Sequence, residues 1–417
     1  MSETLSCNFC GKNRESVDKL IAGPSVYICN ECIQLSYQIL NKENKPTVSF
    51  NMNLESIPSP KNITNILNEY IVGQENVKEI LSVSAYNHYK RMFMDSEIDI
   101  DKSNIMLIGP TGSGKTLFAQ TLAKILNVPF IIADATTLTE SGYVGDDAES
   151  VLERLLMAAD YDLEAAQHGI VYIDEIDKKA KRFDTNSNAR DVSGEGVQQA
   201  LLRLIEGSSV KLKMPNNKKI SEDHVEFNTK NVLFIVSGAF VGLEDIVQKR
   251  QVGSTTIGFG AEVSRKAESI TNNLNSQDII NFGIIPELMG RLPIIAVLEK
   301  LTEEQMIEVL CSVKNNLVAQ YVELLRVDGI ELVVSKQYLV DVAKISIKQD
   351  LGARALRQIV ENSLISVMYR APELHKSGVV KIEFNKYPVA NTKPLLTFEG
   401  GKTESDTEYK LYRGIDE

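Results

Sequence analysis

The sequence predicts an α/β fold: a parallel sheet with helices on both faces, then a smaller, mostly helical domain, with a small four-cysteine module in front. Three observations carry this expectation. Four short apolar runs, Asn104–Ile108, Pro129–Ile132, Gly169–Ile173 and Asn231–Val236, alternate with helical segments, as strands buried on both faces do. From Leu301 the apolar positions Met306, Ile307, Leu310, Val313 and Leu317 recur at helical spacing, and Gln337–Ile347 and Ala353–Tyr369 follow suit before a strand at Val379–Phe384. Four cysteines crowd the N-terminal end.

Those cysteines read Cys7-x2-Cys10-x18-Cys29-x2-Cys32, the spacing of a four-thiolate zinc site. Each Cys-x-x-Cys turn aims two sulfurs at one tetrahedral ion, and four thiolates leave no open position, so the zinc is structural. Turn-prone Gly11-Lys12-Asn13 and Gly23-Pro24-Ser25 lie between the pairs, with Val26–Ile28 as a short strand. So short a module buries little surface, and the metal supplies its folding energy. Cys311 falls within an amphipathic helical pattern and is expected as a buried small side chain.

Asn41 to Lys61 is polar, carries Pro46, Pro58 and Pro60, and lacks helical periodicity, which reads as a flexible linker. The expected organisation is a zinc module at 1–42, a linker at 43–62, a large domain at 63–298, a small domain at 299–386 and a polar, mobile tail at 387–417.

Composition sets the outer bounds. The 417 residues allow two or three domains, and 43% hydrophobic with 24% charged residues excludes wholesale disorder. With 45 Lys+Arg against 56 Asp+Glu the formal charge is −11, which argues against a protein that coats nucleic acid. The longest apolar stretch, Val232 to Leu243, is broken by Ser237, Gly238 and Gly242 and is too short for a membrane span. Neither a basic start nor an apolar run marks the N-terminal residues as a secretory signal, so a bacterial cytoplasmic setting is expected, without membrane or nucleic-acid partners.

The most informative segment is Gly109-Pro110-Thr111-Gly112-Ser113-Gly114-Lys115-Thr116, which fits G-x-x-x-x-G-K-[ST]. It stands directly after a strand and before the helical pattern that opens at Leu117. The glycines let backbone N–H groups curl around phosphate oxygens, Lys115 reaches the terminal phosphates and Thr116 holds Mg²⁺. Downstream, Ile170–Ile173 delivers Asp174 and Glu175 to the sheet edge where ligands collect in such folds. Asp174 would complete the Mg²⁺ shell, and Glu175 is placed to polarise a water for attack on the γ-phosphate of ATP. Ser237 is a candidate phosphate- or water-sensing residue on the next strand.

The phosphate loop, Asp174-Glu175 and Gly352-Ala353-Arg354 resemble the AAA+ ATPases, and more closely the ClpX family, from Cys7 to about Phe384. The resemblance implies an AAA+ P-loop sheet with a helical lid, and a homo-hexameric ring that unfolds tagged proteins, threads them through its pore and feeds the ClpP peptidase. It implies that the zinc domain dimerises and receives adaptors and substrates. Residue by residue, Tyr70-Ile71-Val72-Gly73-Gln74 resembles the adenine-contacting element, and Gly142-Tyr143-Val144-Gly145 the substrate-gripping pore loop. Arg190 begins a segment that resembles the end of a second pore loop, and Ile257-Gly258-Phe259 resembles the ClpP-docking loop. Arg291 in Gly290-Arg291-Leu292-Pro293 matches the arginine finger, and Arg354 the sensor-2 arginine. One departure stands out: where many ClpX proteins carry Arg-Lys-His at the pore entrance, this chain reads Asn216-Asn217-Lys218-Lys219-Ile220. Lys218 and Lys219 keep positive charge for acidic or carboxylate tags, with altered specificity.

Other motors fit less well. A DNA-directed AAA+ motor is disfavoured by the acidic charge and by Gly142–Gly145, and an unfoldase that serves a threonine-type peptidase should lack both the cysteines and Ile257–Phe259. A nucleotide-gated zinc scaffold would have no use for Glu175 and Arg291 together.

Overall fold

The computed structural model describes residues 5–24, 26–36, 56–94, 98, 100–139, 146–181, 192–213, 224–255, 273–388 and 392–411. The chain divides into two compact units, Met1–Met52 and Asn53–Glu417.

In the first unit, strands β1 (Leu20–Gly23) and β2 (Val26–Cys29) form an antiparallel hairpin, and residues 30–36 are helical. Because the helix begins where β2 ends, Cys29 and Cys32 share one turn. On the other side, the Gly11 amide donates to the Cys7 carbonyl at 2.8 Å and closes the turn that carries Cys7 and Cys10.

The second unit opens with α1 (Pro60–Tyr70) and α2 (Glu75–Lys90). Ser59 caps α1 and Pro60 fills its first position, where a missing N–H costs nothing. The helix thus starts inside the segment expected as linker. Next come β3 (Ile105–Ile108), α3 (Lys115–Leu126), β4 (Phe130–Asp134), the short β5 (Leu138–Thr139) and β6 (Asp146–Asp147), then α4 (Ser150–Ala158) and α5 (Leu163–Gln167). After β7 (Ile170–Asp174) and α6 (Val192–Glu206), a hairpin of β8 (Ser209–Lys213) and β9 (His224–Asn228) leads into β10 (Leu233–Gly238). Helices α7 (Leu243–Thr255), α8 (Ser276–Phe282) and α9 (Pro286–Gly290) precede β11 (Ile294–Val297).

Five of these strands form one parallel sheet in the order β11-β3-β10-β7-β4. β3 and β10 are buried along their whole length, which is why β3 is apolar throughout and β10 is apolar up to Ser237 at its carboxyl end. β11 was not among the expected strands; it is short and only partly buried.

The small domain contains α10 (Glu303–Cys311), α11 (Leu317–Val327), β12 (Glu331–Val334), α12 (Lys336–Lys348), α13 (Ala353–Lys376) and β13 (Val379–Phe384). The single periodic run from Met306 to Leu317 is two helices, because Asn316 caps a new one by accepting from the Ala319 amide. Cys311 is exposed, contrary to expectation: Met306 and Leu310 take the inward face, and the next residue lies about 100° round the helix.

The region after Tyr387 also departs from the expected mobile tail. Its residues 395–398 and 403–405 form β14 (Leu395–Phe398) and β15 (Thr403–Ser405), which extend β12 and β13 into a four-stranded sheet. Asp406 pairs with Arg370 of α13, the Tyr409 hydroxyl donates to the Ser363 carbonyl at 2.8 Å, and the Lys410 amide donates to Ser366 Oγ at 3.1 Å. These polar residues therefore belong to the small domain. Among the described residues no helix is long and apolar enough to cross a membrane.

Candidate functional site

The phosphate loop leaves β3 at Gly109 and enters α3 at Lys115. Gly112 and Gly114 hold φ of 78° and 99°, the left-handed region that only glycine enters at no steric cost, so the loop can turn its amides inward above the N-terminus of α3. Lys115 Nζ donates to the carbonyls of Gly109 at 2.6 Å and Pro110 at 3.0 Å. Burial pushes the Lys115 ammonium below its ordinary pKa, while Asp174 and Asp177 oppose the shift. Thr111 is exposed at the loop's tip, Ser113 Oγ donates to the Pro110 carbonyl, and Leu117 lies exposed on α3.

The sheet order sets the next step. β10 lies between β3 and β7, and the pairing Val236↔Ile173 puts Ser237 alongside Asp174 at the carboxyl ends of the strands. Residues two apart share a face, so Tyr172 points the same way as Asp174. The four side chains meet. Ser237 Oγ donates to Asp174 Oδ1 at 2.6 Å, Tyr172 Oη and Ser237 Oγ lie 2.6 Å apart, and Thr116 Oγ1 reaches Tyr172 Oη at 3.2 Å and Asp174 Oδ2 at 3.5 Å. Burial pushes the Tyr172 phenol up to about 12, so it keeps its proton. A hydroxyl and a carboxylate side by side are a hard-oxygen pair suited to Mg²⁺. Glu175 takes a left-handed φ of 58°, its amide donates to Asp174 Oδ1 at 2.9 Å, and its exposed carboxylate stands one residue beyond the ring of hydroxyls. Sequence reasoning missed Tyr172, since within an apolar run a tyrosine reads as core.

The small domain closes over the loop. A cleft lined by Thr111, Gly112, Leu301, Met306, Ile347 and Gly352 runs between them. Arg354 is exposed on the first turn of α13, beside the cleft. Ile71 is buried and Val72 half-buried behind α1, and the neighbouring Gln74 side chain exchanges two hydrogen bonds with the Glu299 backbone, at 2.8 and 3.0 Å. The expected adenine element is thereby tied to the connection between the two domains.

Arg291 lies elsewhere. It precedes β11, whose Ile294 pairs with Ile105, so it stands at the amino ends of the strands while the phosphate loop stands at the carboxyl ends. Its guanidinium is half-exposed and donates to Glu206 Oε1 at 3.1 Å, and its carbonyl accepts from Asn104 Nδ2 at 3.0 Å. It cannot reach the phosphate loop of its own chain.

In the first unit the sulfurs of Cys7, Cys10, Cys29 and Cys32 all lie within 4.8 Å of one another, with Cys7–Cys32 at 3.9 Å and Cys10–Cys29 at 3.7 Å. A tetrahedron with zinc–sulfur bonds of about 2.3 Å has edges of about 3.8 Å, so the donor set fits zinc. The amides of Cys29 and Cys32 point at the sulfurs of Cys7 and Cys29, at 3.3 and 3.4 Å, which steadies thiolate charge. The expected pore residues Tyr143, Val144, Arg190, Lys218 and Lys219, and the docking residues Ile257, Gly258 and Phe259, lie outside the described residues.

Comparison with known families agrees with this arrangement. Residues 5–42 match the ClpX C4-type zinc finger, residues 100–295 the AAA domain (Cdc48 subfamily), and residues 301–381 the C-terminal, D2-small domain of ClpB protein. The AAA match makes the large domain an ATPase domain, and the zinc finger makes the protein a Clp-type unfoldase or chaperone. The three matches, in this order along one chain, together match ClpX.

Proposed function

We propose that this chain is one subunit of a cytoplasmic ring hexamer that couples ATP hydrolysis to protein unfolding, threads tagged substrates through its pore and delivers them to the ClpP peptidase. The observation that carries the ring is the separation of Arg291 from Lys115 across the sheet, since a complete set of phosphate-facing groups then requires two chains.

Within one site, the loop amides and Lys115 would hold the nucleotide phosphates, with Arg354 covering them from the lid and Ile71 and Val72 flanking the base. Thr116 and Asp174 would hold Mg²⁺, which when bound neutralises charge on the β- and γ-phosphates. Glu175 orients a water and takes its proton, and Arg291 serves the site of a neighbouring copy. Tyr143 and Val144 grip the polypeptide, Arg190, Lys218 and Lys219 line its route, and Ile257–Phe259 inserts an apolar anchor into ClpP. The zinc module, with Phe9, Ile21, Val26 and Leu35 exposed, dimerises and receives adaptors.

A paired assay tests this reading. With ATP, the protein should abolish the native fluorescence of a tagged substrate, and with added ClpP it should release peptides. Phe259→Ala should keep the first activity and lose most of the second. Degradation equal to the parent's would remove Phe259 from docking, and absence of ATP-driven unfolding in the parent would overturn the function.

A further inference from the structure

We propose that Tyr172 is a positioning residue that sets the polarity of the hydroxyls around Asp174 and so prepares Thr116 to hold the cation of a nucleotide–Mg²⁺ complex. The inference rests on the reading of this site as a nucleotide–Mg²⁺ site. It follows from counting protons. An ionised carboxylate only accepts, so Ser237 must spend its one hydrogen on Asp174 Oδ1, 2.6 Å away. Ser237 then has only lone pairs for Tyr172, and across their 2.6 Å contact the phenol donates. Having given its hydrogen to Ser237, Tyr172 Oη can only accept across the 3.2 Å contact with Thr116 Oγ1. Donation therefore runs one way, from Thr116 to Tyr172 to Ser237 to Asp174.

This direction matters for the metal. Thr116 sends its hydrogen toward Tyr172 and keeps its lone pairs for a cation, and both Asp174 oxygens retain lone pairs outside the ring. Without the phenol oxygen, the remaining acceptor for Thr116 among these groups is Asp174 Oδ2 at 3.5 Å. Turning toward it would spend a lone pair of one ligand on the hydrogen of the other. Ser237, fully buried, would also lose its donor, although its own bond to Asp174 would remain. Tyr172 itself is fully buried and would not touch the nucleotide.

Tyr172→Phe keeps the ring and removes only the oxygen. Binding of a fluorescent ATP analogue to the full-length chain would be followed while Mg²⁺ is titrated, and again in excess chelator. The expected result is an increase of about ten-fold in the Mg²⁺ concentration for half-maximal tight binding, with chelator-phase affinity unchanged. Ser237→Ala should shift the same curve in the same direction, and combining it with Tyr172→Phe should add less than the product of the two single effects. Equal Mg²⁺ dependence in Tyr172→Phe and parent would overturn the inference, as would equal weakening with and without Mg²⁺. If Tyr172→Phe does not fold, Ser237→Ala alone decides: an unshifted curve overturns the relay. Failure of the parent itself to bind the analogue would instead count against the nucleotide reading.

Discussion

The amide of Ala353 donates to the carbonyl of Gly112 at 3.2 Å, which joins the first residue of α13 directly to the phosphate loop. Gly352, with φ 57° and ψ −148°, makes this approach possible, because a Cβ there would stand 2.9 Å from the Thr111 carbonyl oxygen.

Gly352→Ala should therefore push the lid off the loop. Forcing such a backbone costs about 1–3 kcal/mol, so nucleotide affinity should fall by about ten-fold or more while the large domain stays folded. Equilibrium binding of a fluorescent nucleotide, beside a melting curve, checks it. Unchanged affinity would mean that the lid contact is incidental.

Glu175→Gln keeps the shape of the site but removes the base, so ATP should still bind while turnover falls by about 10²–10⁴-fold. Phosphate release under saturating ATP measures it. A ring held in the ATP-bound state should retain substrate on a sizing column, and near-normal turnover would remove Glu175 from its role.

Zinc removal should unfold the first unit alone, since metal binding is worth about 10–16 kcal/mol in comparable modules and the second unit has its own core. Thiol labelling reads this directly. Cys311 is exposed, so one thiol should react before chelation and all five afterwards, with the melting of the second unit unchanged.

A pH effect follows from His88. Its Nε2–H donates to the Asn231 carbonyl at 3.0 Å, its buried Nδ1 has no partner among the described residues, and burial pushes the ring down to about 3. The unfolded chain takes up this proton near pH 6.5 and the folded chain does not, so stability is lost as pH falls from about 6.5 toward 3. His88→Gln keeps the bond to Asn231 without the titration. Urea midpoints at pH 7 and pH 5 should differ less in that variant than in the parent; an equal difference would remove His88 from the acid response.

The phosphate loop and strands β3, β4, β7 and β10 were legible because their signals are local. Glycine spacing and an unbroken apolar run need no knowledge of the rest of the chain. β11 carries an apolar run too, Ile294 to Leu298, but it follows Pro293 and only Ala296 of its four residues is fully buried, so it stands out less as a core strand. Tyr172 was hidden for a different reason. Its hydroxyl acquires partners only once β10 is laid beside β7 and α3 is brought over both, so its role is written in topology. The residues beyond Tyr387 misled through composition: their polar character is real, but Asp406 is buried against Arg370 across a separation of 36 residues.

That last attachment orders events during synthesis. A nascent chain folds from its N-terminal side as it emerges, at about 5–20 residues per second. The parallel sheet has all its strands once β11 is out, yet the small domain still waits for Asp406 and Tyr409. Until those residues leave the ribosome, Arg370 lacks its carboxylate and one side of Phe384 lacks the Tyr409 ring that packs 6.1 Å away. A chain paused before Tyr409 therefore holds a finished phosphate loop beneath an unfinished lid.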